Sequence, residues 1–128
     1  MLADELQQPL ATGMEVTYVI YPVGGYYQPH IDAMDGTSSA KRCVSFICYL
    51  TPSGWTYDDG GALRVHYGRE TDSGSGAQVT RDADTGADYE DVAPESGSLV
   101  LFDSKQLWHE VLPTRRERAC LVGWFHSV

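Results

Sequence analysis

The sequence predicts a mainly β domain, a jelly roll or related double-stranded β-helix of about eight strands with little helix. Three observations carry that expectation. The apolar residues fall in short runs of strand length, alternating or continuously apolar, with Val, Ile, Tyr, Phe and Trp prominent. Glycine, proline or a cluster of Asp, Ser and Thr closes nearly every run. The length of 128 residues holds eight such strands and their turns as a single domain over 1–128, and leaves no room for a second full domain.

In chain order, Ala3 to Gln8 is a brief helical pattern before the first strand. That strand, Met14 to Tyr21, stops at Pro22-Val23-Gly24-Gly25, because proline donates no backbone N–H and glycine admits turn conformations closed to other residues. Tyr26 to Asp32 follows and ends before the turn Asp35-Gly36-Thr37-Ser38-Ser39. Arg42 to Thr51 is the most continuously apolar run, cut by Pro52-Ser53-Gly54, and Gly60-Gly61 introduces Ala62 to Tyr67. Tyr89 to Val92 and Ser98 to Phe102 are short, with Gly97 between them. His109 to Leu112 halts at Pro113-Thr114, and Arg118 to Phe125 is the last run.

Residues 70–95 hold eight acids and one base among Gly, Ser and Thr, which predicts a solvated acidic insertion between strands. Its run from Asp82 to Asp88 does not make a calcium loop of the helix-flanked kind, since the glycine falls one position early and no helical pattern flanks it. The whole chain carries a formal charge of -9 with only two lysines. That balance argues against nucleic acid and anionic membranes, whose phosphates need clustered cations. No apolar run approaches the roughly 20 residues that span a bilayer, and Met1 to Leu10 carries Asp4 and Glu5 where an export signal is basic, so the expected setting is intracellular and cytoplasmic. Cys43, Cys48 and Cys120 form no C-x-x-C pair and read as free thiols of a reducing compartment.

The chemistry-bearing residues begin with His30-Ile31-Asp32. On a strand, positions two apart project from the same face, as two ligands of one metal must. His109, on a late strand, is the third candidate if antiparallel pairing returns it beside His30. Two histidines and one carboxylate would leave adjacent coordination positions open, the geometry of non-haem Fe(II) sites. Arg118 begins the last apolar run with no acid nearby on that strand, and a buried guanidinium calls for an anion, here a bound dicarboxylate. Tyr21 and Tyr49 offer hydroxyl donors to the same carboxylate, or are ordinary core residues. His66 and His126 are assigned to no metal, and Glu110, next to His109, points to the opposite face.

The segments Tyr21-Pro22 to His30-Ile31-Asp32, Arg42-Cys43-Val44-Ser45-Phe46-Ile47-Cys48-Tyr49-Leu50, Asp59-Gly60-Gly61-Ala62-Leu63-Arg64, and His109-Glu110-Val111 to Arg118 resemble the Fe(II)/2-oxoglutarate-dependent oxygenases, and among them the prolyl 4-hydroxylases of the hypoxia-inducible-factor type. The resemblance covers roughly Val16 to Phe125. It implies that His30, Asp32 and His109 ligate iron, that Arg118 pairs with the distal carboxylate of 2-oxoglutarate, and that Tyr49 and Tyr21 lie in the co-substrate pocket. It further implies Arg42, Tyr27 and Trp124 as substrate contacts, O2 as oxidant, ascorbate as an accessory reductant, and hydroxylation of a prolyl residue in a protein or peptide with release of succinate and CO2.

The family carries a helical and strand-bearing region of several tens of residues before its first motif strand, whereas about fifteen residues stand there in this chain, so the domain reads as minimal or N-terminally trimmed. The acidic insertion is a candidate replacement for part of a lid, favouring a basic partner by steering. Two alternatives stay open: a 2-oxoglutarate oxygenase acting on another amino-acid residue or a small molecule, and a cupin-like metal-binding module without turnover.

Overall fold

The computed structural model describes residues 9–67 and 88–128. Within them lie strands β1 (Leu10–Tyr21), β2 (Tyr27–His30), β3 (Arg42–Tyr49), β4 (Leu63–His66), β5 (Tyr89–Val92), β6 (Leu99–Asp103), β7 (Trp108–Val111) and β8 (Arg118–Ser127), with one 3-10 turn at Tyr57–Asp59. Two four-stranded sheets form, ordered β1-β8-β3-β6 and β2-β7-β4-β5, and every pairing is antiparallel. Apart from the β4–β5 step, the chain changes sheet at each strand. That exchange makes a double-stranded β-helix, a jelly roll of eight strands.

The core lies between the sheets, where Ile47, Tyr49 and Cys120 of one meet Leu63 and Val65 of the other, with Val19, Val100, Phe102 and Val122 packed around them. The alternation of β1 is inverted relative to the usual rule. Met14, Val16, Tyr18 and Ile20 are exposed on the outer face, as are Leu99 and Leu101 of β6, and the other face of β1 carries Glu15, Thr17, Val19 and Tyr21. An interior cavity on that side makes room for polar side chains.

Gly123 stands where β8 crosses between Val16 and Phe46. A Cβ there would run into the Phe46 ring and come within 2.6 Å of the Glu15 carbonyl oxygen. Gly123→Ala is therefore expected to lower stability by roughly 1–3 kcal/mol through overpacking. Thermal unfolding by circular dichroism reads this as a midpoint several degrees lower; an unchanged midpoint would show that Phe46 yields freely.

Strand limits depart from the sequence expectation mostly by a few residues, and one departure matters. Asp32 does not continue β2: its N–H and that of Ala33 both donate to Ser104 O, at 3.0 Å each, which draws the chain out of the β2–β7 ladder after His30. The helical stretch Ala3–Gln8 lies outside the described residues, as does most of the acidic insertion; its last part, from Asp88, includes β5, so the described end of 70–95 is barrel strand. There Arg64 pairs with Asp91 at 2.7 Å and Tyr67 donates to Glu90 at 2.6 Å. Cys43, Cys48 and Cys120 are free thiols, the first and last buried. Among the described residues no helix is long and apolar enough to cross a membrane.

Candidate functional site

The register of β2 on β7 sets His30 directly opposite His109. Asp32 closes the group: its Oδ1 lies 3.1 Å from His30 Nε2 and 3.2 Å from His109 Nε2. Each imidazole turns Nδ1 to a backbone carbonyl, Gln28 O at 2.8 Å and Leu107 O at 2.9 Å. A carbonyl oxygen only accepts, so Nδ1 carries a proton and the two Nε2 atoms are left facing the carboxylate. Three donors converging this closely require positive charge among them, either protons on the Nε2 atoms or one cation bound to all three. Two neutral imidazoles oriented by outer hydrogen bonds, plus one hard oxygen, form a donor set that fits Fe(II). Among the described residues no other His, Cys, Asp and Glu side chains form a cluster suited to a metal.

Asp32 is placed by contacts remote in sequence. Its Oδ2 accepts from Ser45 Oγ at 2.6 Å and from Trp124 Nε1 at 2.9 Å, and Ser45 Oγ lies 2.8 Å from Ser104 Oγ. With Oδ2 doubly occupied, Oδ1 is the oxygen left for a ligand. Burial pushes this carboxyl up, but His109 and His30 with the Ser45 hydroxyl outweigh burial and hold it well below the ordinary carboxylate range.

A cavity of about 590 Å³ opens over the three donors, walled by apolar side chains such as Val19, Ile47, Leu63 and Phe102, and lined also by Tyr21, Tyr27, Arg42 and Trp124. Behind Tyr21 lies Arg118, 1% exposed. Its guanidinium stands 5.1 Å from the ring centres of both Tyr21 and Tyr49. Nε donates to Gly61 O at 2.8 Å, Nη2 to Tyr49 OH at 3.4 Å, and Nη1 lies 3.8 Å from Cys120 Sγ. Among the described residues no carboxylate pairs with it, and a guanidinium so buried is stable only with an anion or dense hydrogen bonding. Gly61 makes the seat possible: at φ +72°, a Cβ on it would stand 2.9 Å from Arg118 Cδ. Burial pushes the Tyr49 phenol up to about 12 against the pull of Arg118, and raises Tyr21 likewise, so both remain neutral donors.

Arg42 and Trp124, expected as substrate contacts, also touch Asp32. Arg42 Nη1 donates to Asp32 O at 3.2 Å, its Cζ lies 3.8 Å over the Trp124 ring, and Nε and Nη2 grip Glu15 at 2.7 and 3.0 Å. Tyr27 lies with its ring centre 4.3 Å from that of His30. Ser45, Ser104 and Glu15 were not singled out from the sequence. Ser45 did leave a trace, as a lone hydroxyl inside an apolar run; Glu15 left none. His66 bonds Glu110 at 2.7 Å and His126 bonds Glu15 at 3.0 Å, away from the triad.

Hydrogen bonds from Arg42 hold the Glu15 carboxyl at about 2, below its ordinary 4.5, with burial opposing and His126 adding to the depression. A depressed carboxyl contributes stability that is full above its unfolded value and lost as pH falls toward the folded one. Because Glu15 is 39% exposed, the contribution is screened to about 1 kcal/mol or less. The stability gap between the wild type and Glu15→Gln should therefore close between about pH 5 and pH 2, as read by urea unfolding; a gap independent of pH would contradict the pairing.

Comparison with known proteins agrees with this geometry. Residues 16–126 match the 2OG-Fe(II) oxygenase superfamily. A Pseudomonas putida prolyl-4-hydroxylase superposes with a TM-score of 0.75 at 33% identity, over 98% of this chain and 57% of that one. A Phytophthora capsici prolyl 4-hydroxylase gives 0.75 at 25% identity, over 99% and 38%. A Trichoplax adhaerens prolyl hydroxylase, solved with a hypoxia-inducible-factor peptide, gives 0.67 at 26% identity, over 91% and 45%. The chain thus spans between about two fifths and three fifths of the length of these relatives. No curated protein sequence matches it. From the matched length and the shared fold, the chain belongs to the 2OG-Fe(II) oxygenase superfamily, whose members use Fe(II), 2-oxoglutarate and O2.

Proposed function

We propose that this chain is one oxygenase domain that hydroxylates a prolyl residue of a protein or peptide, coupled to conversion of 2-oxoglutarate into succinate and CO2. The observation that carries the reading is a His30/Asp32/His109 donor set at an apolar cavity, with a buried Arg118 behind the cavity's Tyr21 wall that has no carboxylate partner among the described residues. His30 Nε2, Asp32 Oδ1 and His109 Nε2 would hold Fe(II), which supplies the oxidative chemistry that joins decarboxylation to C–H hydroxylation. Arg118 would bind the distal carboxylate of 2-oxoglutarate in charge-assisted hydrogen bonds, with Tyr49 and Tyr21 donating from their neutral hydroxyls. Leu63, Phe102, Ile47 and Val19 exclude water from the reacting end. Tyr27, Arg42 and Trp124 line the same cavity and would be contacts for an incoming peptide, and the charge of -9 favours a basic one. The prolyl preference is supported by the three prolyl hydroxylases of the same fold.

The test is anaerobic titration with Fe(II) and then 2-oxoglutarate, followed by visible absorption, and then succinate release under O2 with proline-containing peptides of differing charge. A band that needs both additions, with succinate release stimulated by a proline peptide, is expected. A band without proline-dependent turnover would move the substrate to another residue or a small molecule. No band in folded protein would overturn the oxygenase reading in favour of a binding module.

A further inference from the structure

We infer that Glu15 is a positioning residue for Asp32, acting through Arg42 and Trp124, an inference that rests on the reading of His30, Asp32 and His109 as a metal site. Glu15, Trp124 and Ser45 occupy one cross-strand row over β1, β8 and β3. Arg42 spans that row from above. Its Nε and Nη2 grip both Glu15 oxygens, its Cζ lies 3.8 Å from the Trp124 ring centre, and Nη1 donates to Asp32 O. Trp124, held against that guanidinium, donates its indole N–H to Asp32 Oδ2, the oxygen that also accepts from the Ser45 hydroxyl. His126 braces the far side of the Glu15 carboxylate at 3.0 Å.

An exposed Arg–Glu pair is ordinarily worth little. This one differs because the guanidinium is committed to Glu15, Trp124 and Asp32 at once, so losing Glu15 would free its Nε and Nη2 to seek water and draw it off the indole. The indole then loses a cation–π partner as well as its fixed direction. Asp32 keeps Ser45 but loses the second donor on Oδ2 and the tether on its carbonyl. Both chemistry-bearing oxygens of Asp32 would then sample rotamers in which Oδ1 no longer faces His30 and His109. Glu15 touches no substrate or metal in this scheme.

The experiment is Co(II) binding to Glu15→Ala, Glu15→Gln, Arg42→Ala and the Glu15→Ala/Arg42→Ala double variant, beside the wild type, with thermal unfolding run on each. Outer partners of metal ligands ordinarily change affinity by about 10- to 100-fold. Glu15 lies one contact further out, so Glu15→Ala should weaken Co(II) by about 3- to 10-fold, at the lower edge of that range or below it. Glu15→Gln, which keeps one acceptor for Arg42, should lose less. Glu15→Ala should add nothing in the Arg42→Ala background, as expected of residues acting in series. In the metal-free protein the indole N–H resonance of Trp124 should shift and exchange faster in Glu15→Ala, a change that a purely stabilising role would not produce. If Glu15→Ala folds poorly, Glu15→Gln carries the comparison. Co(II) affinity within about twofold of wild type in Glu15→Ala, or independent losses that add in the double variant, would overturn the inference. A folded wild type that binds no Co(II) would instead overturn the metal-site reading itself.

Discussion

Replacing Arg118 by alanine should abolish measurable 2-oxoglutarate binding, weakening it by at least about a hundredfold, while metal affinity stays within a few-fold of wild type. Breaking a buried charge pair by removing one partner costs about 3–5 kcal/mol, because the other charge is left without compensation. On the proposed reading that other charge would be the distal carboxylate of 2-oxoglutarate, met by a guanidinium that is 1% exposed. The candidate metal donors come from β2, the turn after it, and β7, whereas Arg118 starts β8, so the two proposed roles should separate. Losing the bonds to Gly61 O and Tyr49 OH will also lower stability. Arg118→Lys guards against that complication: it keeps the charge but not the planar fork, and is expected to bind the co-substrate more weakly than wild type and more tightly than Arg118→Ala. Calorimetry on Mn(II)-loaded protein reads both affinities. Unchanged 2-oxoglutarate binding in Arg118→Ala would sink the assignment of its role.

His109→Ala should lose metal binding by well over the roughly hundredfold that an outer partner costs, since a direct donor is removed. His109 is the most deeply placed of the three donors, 3% exposed and packed edge-on against Phe102 at 4.7 Å. No other described His, Cys, Asp or Glu is placed to take its position. A ligand that binds only the folded state raises the unfolding midpoint by mass action. Wild-type protein should therefore melt at a higher temperature with Co(II) present, and His109→Ala should not respond. His66→Ala is the control, because His66 spends its Nε2 on Glu110 and should leave the metal response intact. A persistent Co(II) shift in His109→Ala would place the metal elsewhere.

How far these assignments were legible in the chain depends on the range of the interaction concerned. Strand existence is a local property, so runs such as Arg42–Tyr49 and Arg118–Ser127 announce themselves through β-branched and aromatic residues ended by glycine and proline. The candidate donor residues were named because chemistry restricts metal ligands to a few types and because the motifs around them resemble a known family. Their geometry was legible only in part. Spacing in the sequence suggested that Asp32 shares the strand face of His30, yet Asp32 lies past the end of β2 and is aimed by Ser104, Ser45 and Trp124. The inner and outer faces of β1 were not legible either. Met14, Val16, Tyr18 and Ile20 are exposed while Glu15 reaches Arg42, because the interior on that side is a cavity lined by polar groups as well as by Val19.

By itself, the sequence determined the number and order of the strands from residue type and local pattern, and the acidic balance from composition, while the three metal-donor candidates and Arg118 came from residue type together with the resemblance to a known family. Only the tertiary structure decided that β2 and β7 pair with His30 against His109, that Arg118 is sealed behind Tyr21 with no described acid to meet it, and that Glu15 reaches Asp32 through Arg42 and Trp124. Those arrangements depend on strand order and register between segments up to about a hundred residues apart. A shift of register by one residue would turn each of these side chains to the opposite face, and that choice is made by the packing of the two sheets as a whole.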